Sequence, residues 1–266
     1  MLWRITILLL LCTQLCAQPF NAAPLLGMGN TGLAHQSLFN VTNNPAGIAT
    51  IDGPQVGLAY QHHFLSTEIQ SQAAFAAIPF LGSNTIGFSA NSYGLKNVSN
   101  LLTLRGVYAK RFGKSFATSI SANYHRYYVR NYQSDHTVSL DLGFQYYASD
   151  NLTFGALARN LSSSMFQDYI SEYIPEEYGV GFSYRLSEQL MVSSDVYYDL
   201  REQFNFRGGL AYHFDSRLVI RGGAASHPAQ YFGGVGLQIK KIQIDIASSF
   251  HPRLGTSPQL ALSYGF

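Results

Sequence analysis

The stretch that decides the fold is Val138-Ser139-Leu140-Asp141-Leu142-Gly143-Phe144-Gln145-Tyr146. Apolar residues occupy every second position, and Ser139, Asp141, Gly143 and Gln145 fill the gaps. Successive side chains of a β-strand point to opposite faces, so this is a strand with one greasy face and one polar or small face. The same period returns in Ile242, Ile244 and Ile246 against Lys241, Gln243 and Asp245. It closes the chain as well, where Leu260, Leu262, Tyr264 and Phe266 alternate with Gln259, Ala261, Ser263 and Gly265.

Carried outward from there, the period predicts about fourteen strands. They fall near 54–63, 68–80, 84–92, 101–112, 115–127, 137–148, 151–160, 177–186, 189–199, 204–214, 217–224, 230–239, 241–250 and 257–266. The second is the weakest, because Ala73, Ala74, Ala76 and Ala77 hardly alternate. Tight turns follow the even strands, as at Leu81-Gly82-Ser83 and Gly113-Lys114; links after the odd strands tend to be longer, as at 93–100, 128–136 and 161–176. Short turns at one end and longer loops at the other are the pattern of an antiparallel outer-membrane barrel.

Composition separates that reading from a soluble sandwich or propeller, which the alternation alone would allow. Only 12% of the residues are charged, while 47% are hydrophobic. Soluble domains carry about 25% charged residues. A chain so poor in charge, yet without a long apolar run after its N-terminus, fits a barrel with a lipid-facing exterior and a polar interior. A net charge of +2 gives no reason to expect nucleic acid or an acidic partner.

The N-terminus, MLWRITILLLLCTQLCAQ, has a basic residue at Arg4, an apolar run from Ile5 to Cys12 and small residues before Gln18. That is the build of a secretory signal peptide, residues 1–17, cleaved between Ala17 and Gln18 and implying Sec export. Both cysteines lie within it, so a mature chain without disulfides is expected.

With the apolar face turned to lipid, the inward positions can be read off. They include Thr103, Arg105, His125, Asp141, Arg159 and Arg185, and then Asp195, Arg207, His213, Arg221 and Asp245. Buried charges of opposite sign should pair between strands. Arg207 and Asp195 lie on adjacent predicted strands, as do Asp141 and Arg159. Such pairs would fix register; the functional alternative is a polar conduit or head-group pocket. No catalytic or metal site is predicted: the eight histidines form no H-E-x-x-H motif, and there is no G-x-S-x-G. Nor is any cofactor called for.

Between the cleavage site and the first strand lies Gln18–Gly53, which does not alternate. It contains Gly27-Met28-Gly29-Asn30-Thr31-Gly32, a G-x-G-x-x-G pattern that cradles pyrophosphate when a strand precedes it and a helix follows. No strand precedes it here, so it reads as a flexible, glycine-bent stretch of an exported chain. Some fifteen residues on comes Asn44-Pro45-Ala46-Gly47-Ile48-Ala49. The Gly-Met-Gly segment followed by this Asn-Pro-Ala-Gly turn resembles the start of the FadL-type outer-membrane barrels. In style it is similar to the PorV/PorQ-like proteins of the type IX secretion system.

The resemblance implies that residues 18–53 fold into the lumen of a 54–266 barrel as a plug, with Gly27, Met28, Gly29, Asn44, Pro45 and Ala46 as its motif. It also implies the outer membrane of a Gram-negative-type cell, contact with outer-membrane lipid, and assembly by the barrel-assembly machinery through the last strand, signalled by Tyr264 and Phe266. Two non-enzymatic functions are open. The short loops favour a PorV/PorQ-like accessory binding other secretion or envelope proteins; the alternative is a FadL-type channel for small hydrophobic compounds.

Overall fold

A computed structural model describes residues 20–132, 134–167, 173–200 and 204–266. The proposed cleavage site at Ala17 and Gln18 lies outside the described residues. The alternating segments form fourteen antiparallel strands: β1 (Gln55–His62), β2 (Ile69–Phe80), β3 (Asn84–Leu95), β4 (Ser99–Phe112), β5 (Phe116–Val129), β6 (Asp135–Tyr147), β7 (Leu152–Ala158), β8 (Glu177–Arg185), β9 (Leu190–Asp199), β10 (Phe204–His213), β11 (Leu218–Ser226), β12 (Ala229–Ile239), β13 (Ile242–His251) and β14 (Gly255–Gly265). Each pairs with its sequence neighbours, and β14 pairs with β1 from Gln55↔Gly265 to Gln61↔Gln259, closing a barrel. Closure gives every strand a neighbouring strand on both sides, as crossing hydrocarbon in the form of strands requires. Among the described residues no helix is long and apolar enough to span a membrane.

Which face is wet is settled by burial. In β6, Val138, Leu140, Phe144 and Tyr146 are exposed, whereas Ser139, Asp141 and Gln145 are at most 1% exposed. A soluble sheet would show the reverse. The exterior is therefore an apolar band of the kind lipid requires. At the short-turn end it is ringed by aromatics, including the Phe112–Phe116 and Phe116–Phe144 contacts at 6.0 and 6.1 Å.

The strands run further toward the opposite end than the sequence suggests. β3 continues to Leu95 and β4 begins at Ser99, so the expected 93–100 loop shrinks to three residues, and the β11–β12 link is only His227-Pro228. Polar residues there remain in the hydrogen-bonded ladder, because alternation in polarity stops above the lipid band while pairing does not. β7 is the exception. It ends at Ala158, paired with Leu142, and leaves β6 without a strand partner from Asp135 to Asp141 on that side.

The C-terminus completes the closure. The Phe266 N–H donates to the Pro54 carbonyl at 3.0 Å, and its ring meets Tyr264 edge-on at 4.9 Å. Deleting Phe266 removes this closing bond and an interfacial anchor, so the yield of heat-modifiable barrel in the outer membrane is expected to fall by at least several-fold. Normal assembly of the deletion would show that the residue carries no assembly signal.

Candidate functional site

The lumen is filled by residues 20–53, folded as a short helix α1 (Ala23–Leu26) and two 3-10 turns, Leu38–Val41 and Pro45–Thr50. Phe20, Leu25, Leu38, Phe39, Val41 and Ile48 are buried against an inner wall built from small residues such as Ala59, Ala73, Ala77, Ala109 and Ala261. Each such apolar side chain removed from water contributes roughly 1.5–3 kcal/mol before ordering costs. This packing explains why β2 hardly alternates: its inward Ala73, Phe75 and Ala77 face the plug, Phe75 against Phe20 and Phe39, so they are apolar instead of polar.

The glycine-rich stretch is pinned in place. Asp195 Oδ2 accepts hydrogen bonds from the backbone N–H groups of Gly32 at 2.8 Å and Leu33 at 3.1 Å, and Thr31 Oγ1 lies 2.7 Å from Ser193 Oγ. The expectation of a flexible segment is corrected by these bonds. Gly29 has φ +73°, and its backbone lies where a side chain on Gly223 of the wall would stand. Leu33 likewise passes so close to Gly155 that a Cβ there would overlap its carbonyl. Gly27, by contrast, has ordinary helical backbone at the end of α1, and Met28 is buried against Ala211 and Val219.

Asn44, Pro45 and Ala46 lie completely buried or nearly so. Pro45 opens its 3-10 turn, for which a proline's fixed φ is suited, and Asn44 caps it by accepting from Ala46 N at 3.3 Å. The same side chain donates to Leu33 O at 2.6 Å within the plug and to Phe144 O at 3.0 Å on the wall. Gln145 joins them, donating to Leu33 O at 2.9 Å and His35 O at 2.8 Å. One asparagine thus fastens two plug segments and the wall together.

Neither named pair, Arg207–Asp195 nor Asp141–Arg159, forms as an ion pair; the charged wall residues take other partners. Asp141 binds Arg105 at 3.0 Å, two strands away, with Asn123 of the intervening strand also donating to it at 3.0 Å. Arg159 pairs instead with Glu177, which the sequence reading did not single out. Arg221 reaches Asp245 at 2.6 Å across Gly236, whose missing side chain leaves the path clear. Arg207 and Asp195 stand opposite in register without an ion pair. Asp195 turns to the plug, while Arg207 lies over the Tyr197 ring at 4.0 Å and donates to Asn30 O at 3.3 Å. Arg185 and His213 have inward parity but sit exposed at the short-turn rim, where His213 Nδ1 lies 3.4 Å from the Gln189 carbonyl.

Arg105 and Arg159 do more than join strands. Arg105 Nη1 donates to Val41 O at 3.2 Å and Thr42 O at 3.4 Å; Arg159 Nη2 donates to Asn43 O at 3.2 Å. These carbonyls end the Leu38–Val41 turn, where helical geometry leaves them without internal partners. The two guanidiniums therefore latch the plug by its orphan acceptors.

Beside the latch is a cavity of about 90 Å³. Phe20, Tyr93, Leu101, Ile174 and Pro175 form its apolar side, and His125, Ser139 and Asn123 its polar side. Ser139 Oγ lies 2.8 Å from His125 Nε2, a contact that could suggest a nucleophile. The other ring nitrogen meets the Thr103 hydroxyl at 3.1 Å, and Asp141 is committed to Arg105, Asn123 and Asn160 N, so no carboxylate orients the ring. The arrangement can hold a small molecule with an apolar body, and it contains no assembled acid–base triad.

The chain matches no protein-family model and no curated protein. Among solved structures, the toluene transporter TodX of Pseudomonas putida aligns with a TM-score of 0.67 and 14% identity, over 95% of this chain and 99% of that one. A FadL homologue of Pseudomonas aeruginosa gives 0.67 and 11%, over 94% and 99%; the outer membrane protein Omp33 of Acinetobacter baumannii gives 0.53 and 9%, over 89% and 100%. At these identities the likeness is one of fold, and the fold is that of the FadL-type outer-membrane β-barrels.

Proposed function

We propose that the chain is an outer-membrane channel for small hydrophobic compounds, which leave the lumen sideways through the wall once the plug latch shifts. The observation that carries this is the break in strand pairing above Ala158. There the β6 edge is covered by a loop, through Leu161 N to Leu140 O at 2.8 Å and Leu140 N to Ser162 Oγ at 3.3 Å. The same loop continues to Ile174 and Pro175, which line the cavity, and Arg159 of the latch stands at its start. A cavity, the latch and the weakest seam of the wall thus adjoin. TodX, with which the fold is shared, is described as a monoaromatic hydrocarbon channel, and this favours the channel over the accessory role that the short loops suggested.

A disulfide across the seam tests the proposal. The Leu140→Cys/Leu161→Cys pair joins two exposed positions on backbones already hydrogen-bonded. Oxidised cells are expected to take up toluene roughly tenfold more slowly than cells treated with reductant, with the barrel equally heat-modifiable in both states. Equal uptake in the two states overturns the lateral route. Recovery of a stoichiometric protein partner from native membranes, with uptake unaffected by loss of the chain, would favour the accessory reading.

A further inference from the structure

A second concavity lies on the outside of the barrel, at the end bearing the longer connections. It has a volume of about 520 Å³, within the range of small-molecule sites. Its floor is small, formed by Ser92 and Gly94; Gln70 and Gln72 stand on one side, and Asn100 and Tyr128 on the other. All of these point outward, on two successive cross-strand rows: Gln72↔Ser92↔Leu102 and Gln70↔Gly94↔Asn100↔Tyr128. Over them stand Lys96 and Arg130, brought together by the backbone bond from Arg130 N to Val98 O at 2.8 Å. Part of the floor is prearranged, since Asn100 Nδ2 donates to Ser92 Oγ at 2.6 Å and the Tyr60 hydroxyl donates to Gln70 Oε1 at 2.8 Å.

Two features identify the occupant. The first is charge: Lys96 and Arg130 line the groove and exposed Arg126 stands one outward position below Tyr128, whereas the adjoining loop supplies one exposed acid, Glu68, and Asp135 is buried. None of these three cations is in an ion pair among the described residues. The second is height. One row below the groove, the outward residues become Leu58↔Ala74↔Ala90↔Leu104, a shallow trough of alanines between leucines at the top of the apolar band, with Ala76 and the exposed Phe88 in the row beneath. A free anion would use only the upper half of this surface. A ligand matching both halves has a phosphate for the cations, hydroxyls for the amides and an acyl chain for the trough.

We propose that this groove holds the phosphorylated sugar headgroup of an outer-leaflet glycolipid, with an acyl chain lying along Ala74 and Ala90. The site is separate from the lumen and does not depend on what the channel carries.

The test uses the intact barrel in phosphatidylcholine nanodiscs titrated with lipid A and observed by native mass spectrometry. The wild type is expected to retain one lipid A. Lys96→Gln/Arg130→Gln is expected to weaken retention by roughly 25-fold, about fivefold per cation removed. Ser92→Phe, which fills the floor and keeps both charges, is expected to abolish it while the barrel remains heat-modifiable. Retention unchanged in both variants overturns the site, and equal retention of dephosphorylated lipid A overturns phosphate recognition. Inorganic phosphate that displaces lipid A at millimolar concentration would show a free-anion site in place of a lipid one.

Discussion

Replacing Gly155 and Gly209 together by leucine is expected to drive the plug from the lumen and turn a closed barrel into an open pore. A Cβ at Gly155 overlaps the Leu33 carbonyl, and one at Gly209 overlaps the Met28 carbonyl; both obstacles are backbone, so no rotamer change relieves them. Either the wall or the plug must move. The wall at both points lies in strands paired on two sides, β7 between β6 and β8 and β10 between β9 and β11. The plug there is held by a few side-chain bonds, chiefly those of Asp195, Asn44 and Gln145, and yields first. Influx of a small neutral sugar into liposomes carrying the double variant should rise by roughly tenfold or more, since a fourteen-strand wall leaves a lumen that its own side chains do not fill. A variant that is folded, heat-modifiable and still closed would show that the plug seals by a route other than these contacts.

The wall was legible in the sequence and the lock was not, for a physical reason. Every lipid-facing residue must be apolar whatever its neighbours are, so the outer face of β6 or β14 can be read from its own period. An inward residue is chosen by what it meets, and that depends on register and on the plug. Asp141 meets Arg105 two strands away because Asn123 lies between them as a shared donor. Asp195 stands opposite Arg207 in register, as the neighbouring-strand argument required, yet serves plug N–H groups instead. Glu177 has the same inward parity as Arg185, so its face was legible from the period of β8; its pairing with Arg159 was not, because Arg159 lies just past the end of β7. One signal was available and unused: alanines and glycines at inward parity, such as Ala73, Ala77, Gly155, Gly209 and Gly223, mark where the plug touches the wall. Asn44-Pro45-Ala46 was recognisable as a motif, but its reach to Phe144 O on β6 belongs to the assembled barrel.

Arg105→Met is expected to be the most destabilising single change in the latch. The guanidinium is 7% exposed and its partner Asp141 is fully buried, so the substitution strands a carboxylate out of water and also removes the donor to Val41 O and Thr42 O. Breaking a buried pair by deleting one partner costs about 3–5 kcal/mol, because the desolvation of the remaining charge is no longer offset. Methionine keeps much of the side chain's volume, which separates the charge effect from a cavity effect. Adding Asp141→Asn to Arg105→Met removes the stranded charge and should recover about half of the loss. Urea unfolding of the refolded barrel in lipid vesicles, followed by the heat-modifiable band, measures both values. A single variant within about 1 kcal/mol of the parent, the range of an ordinary exposed pair, would mean that Asn123 and Asn160 alone satisfy Asp141. Arg105 would then be a plug contact and no part of the wall's electrostatic frame.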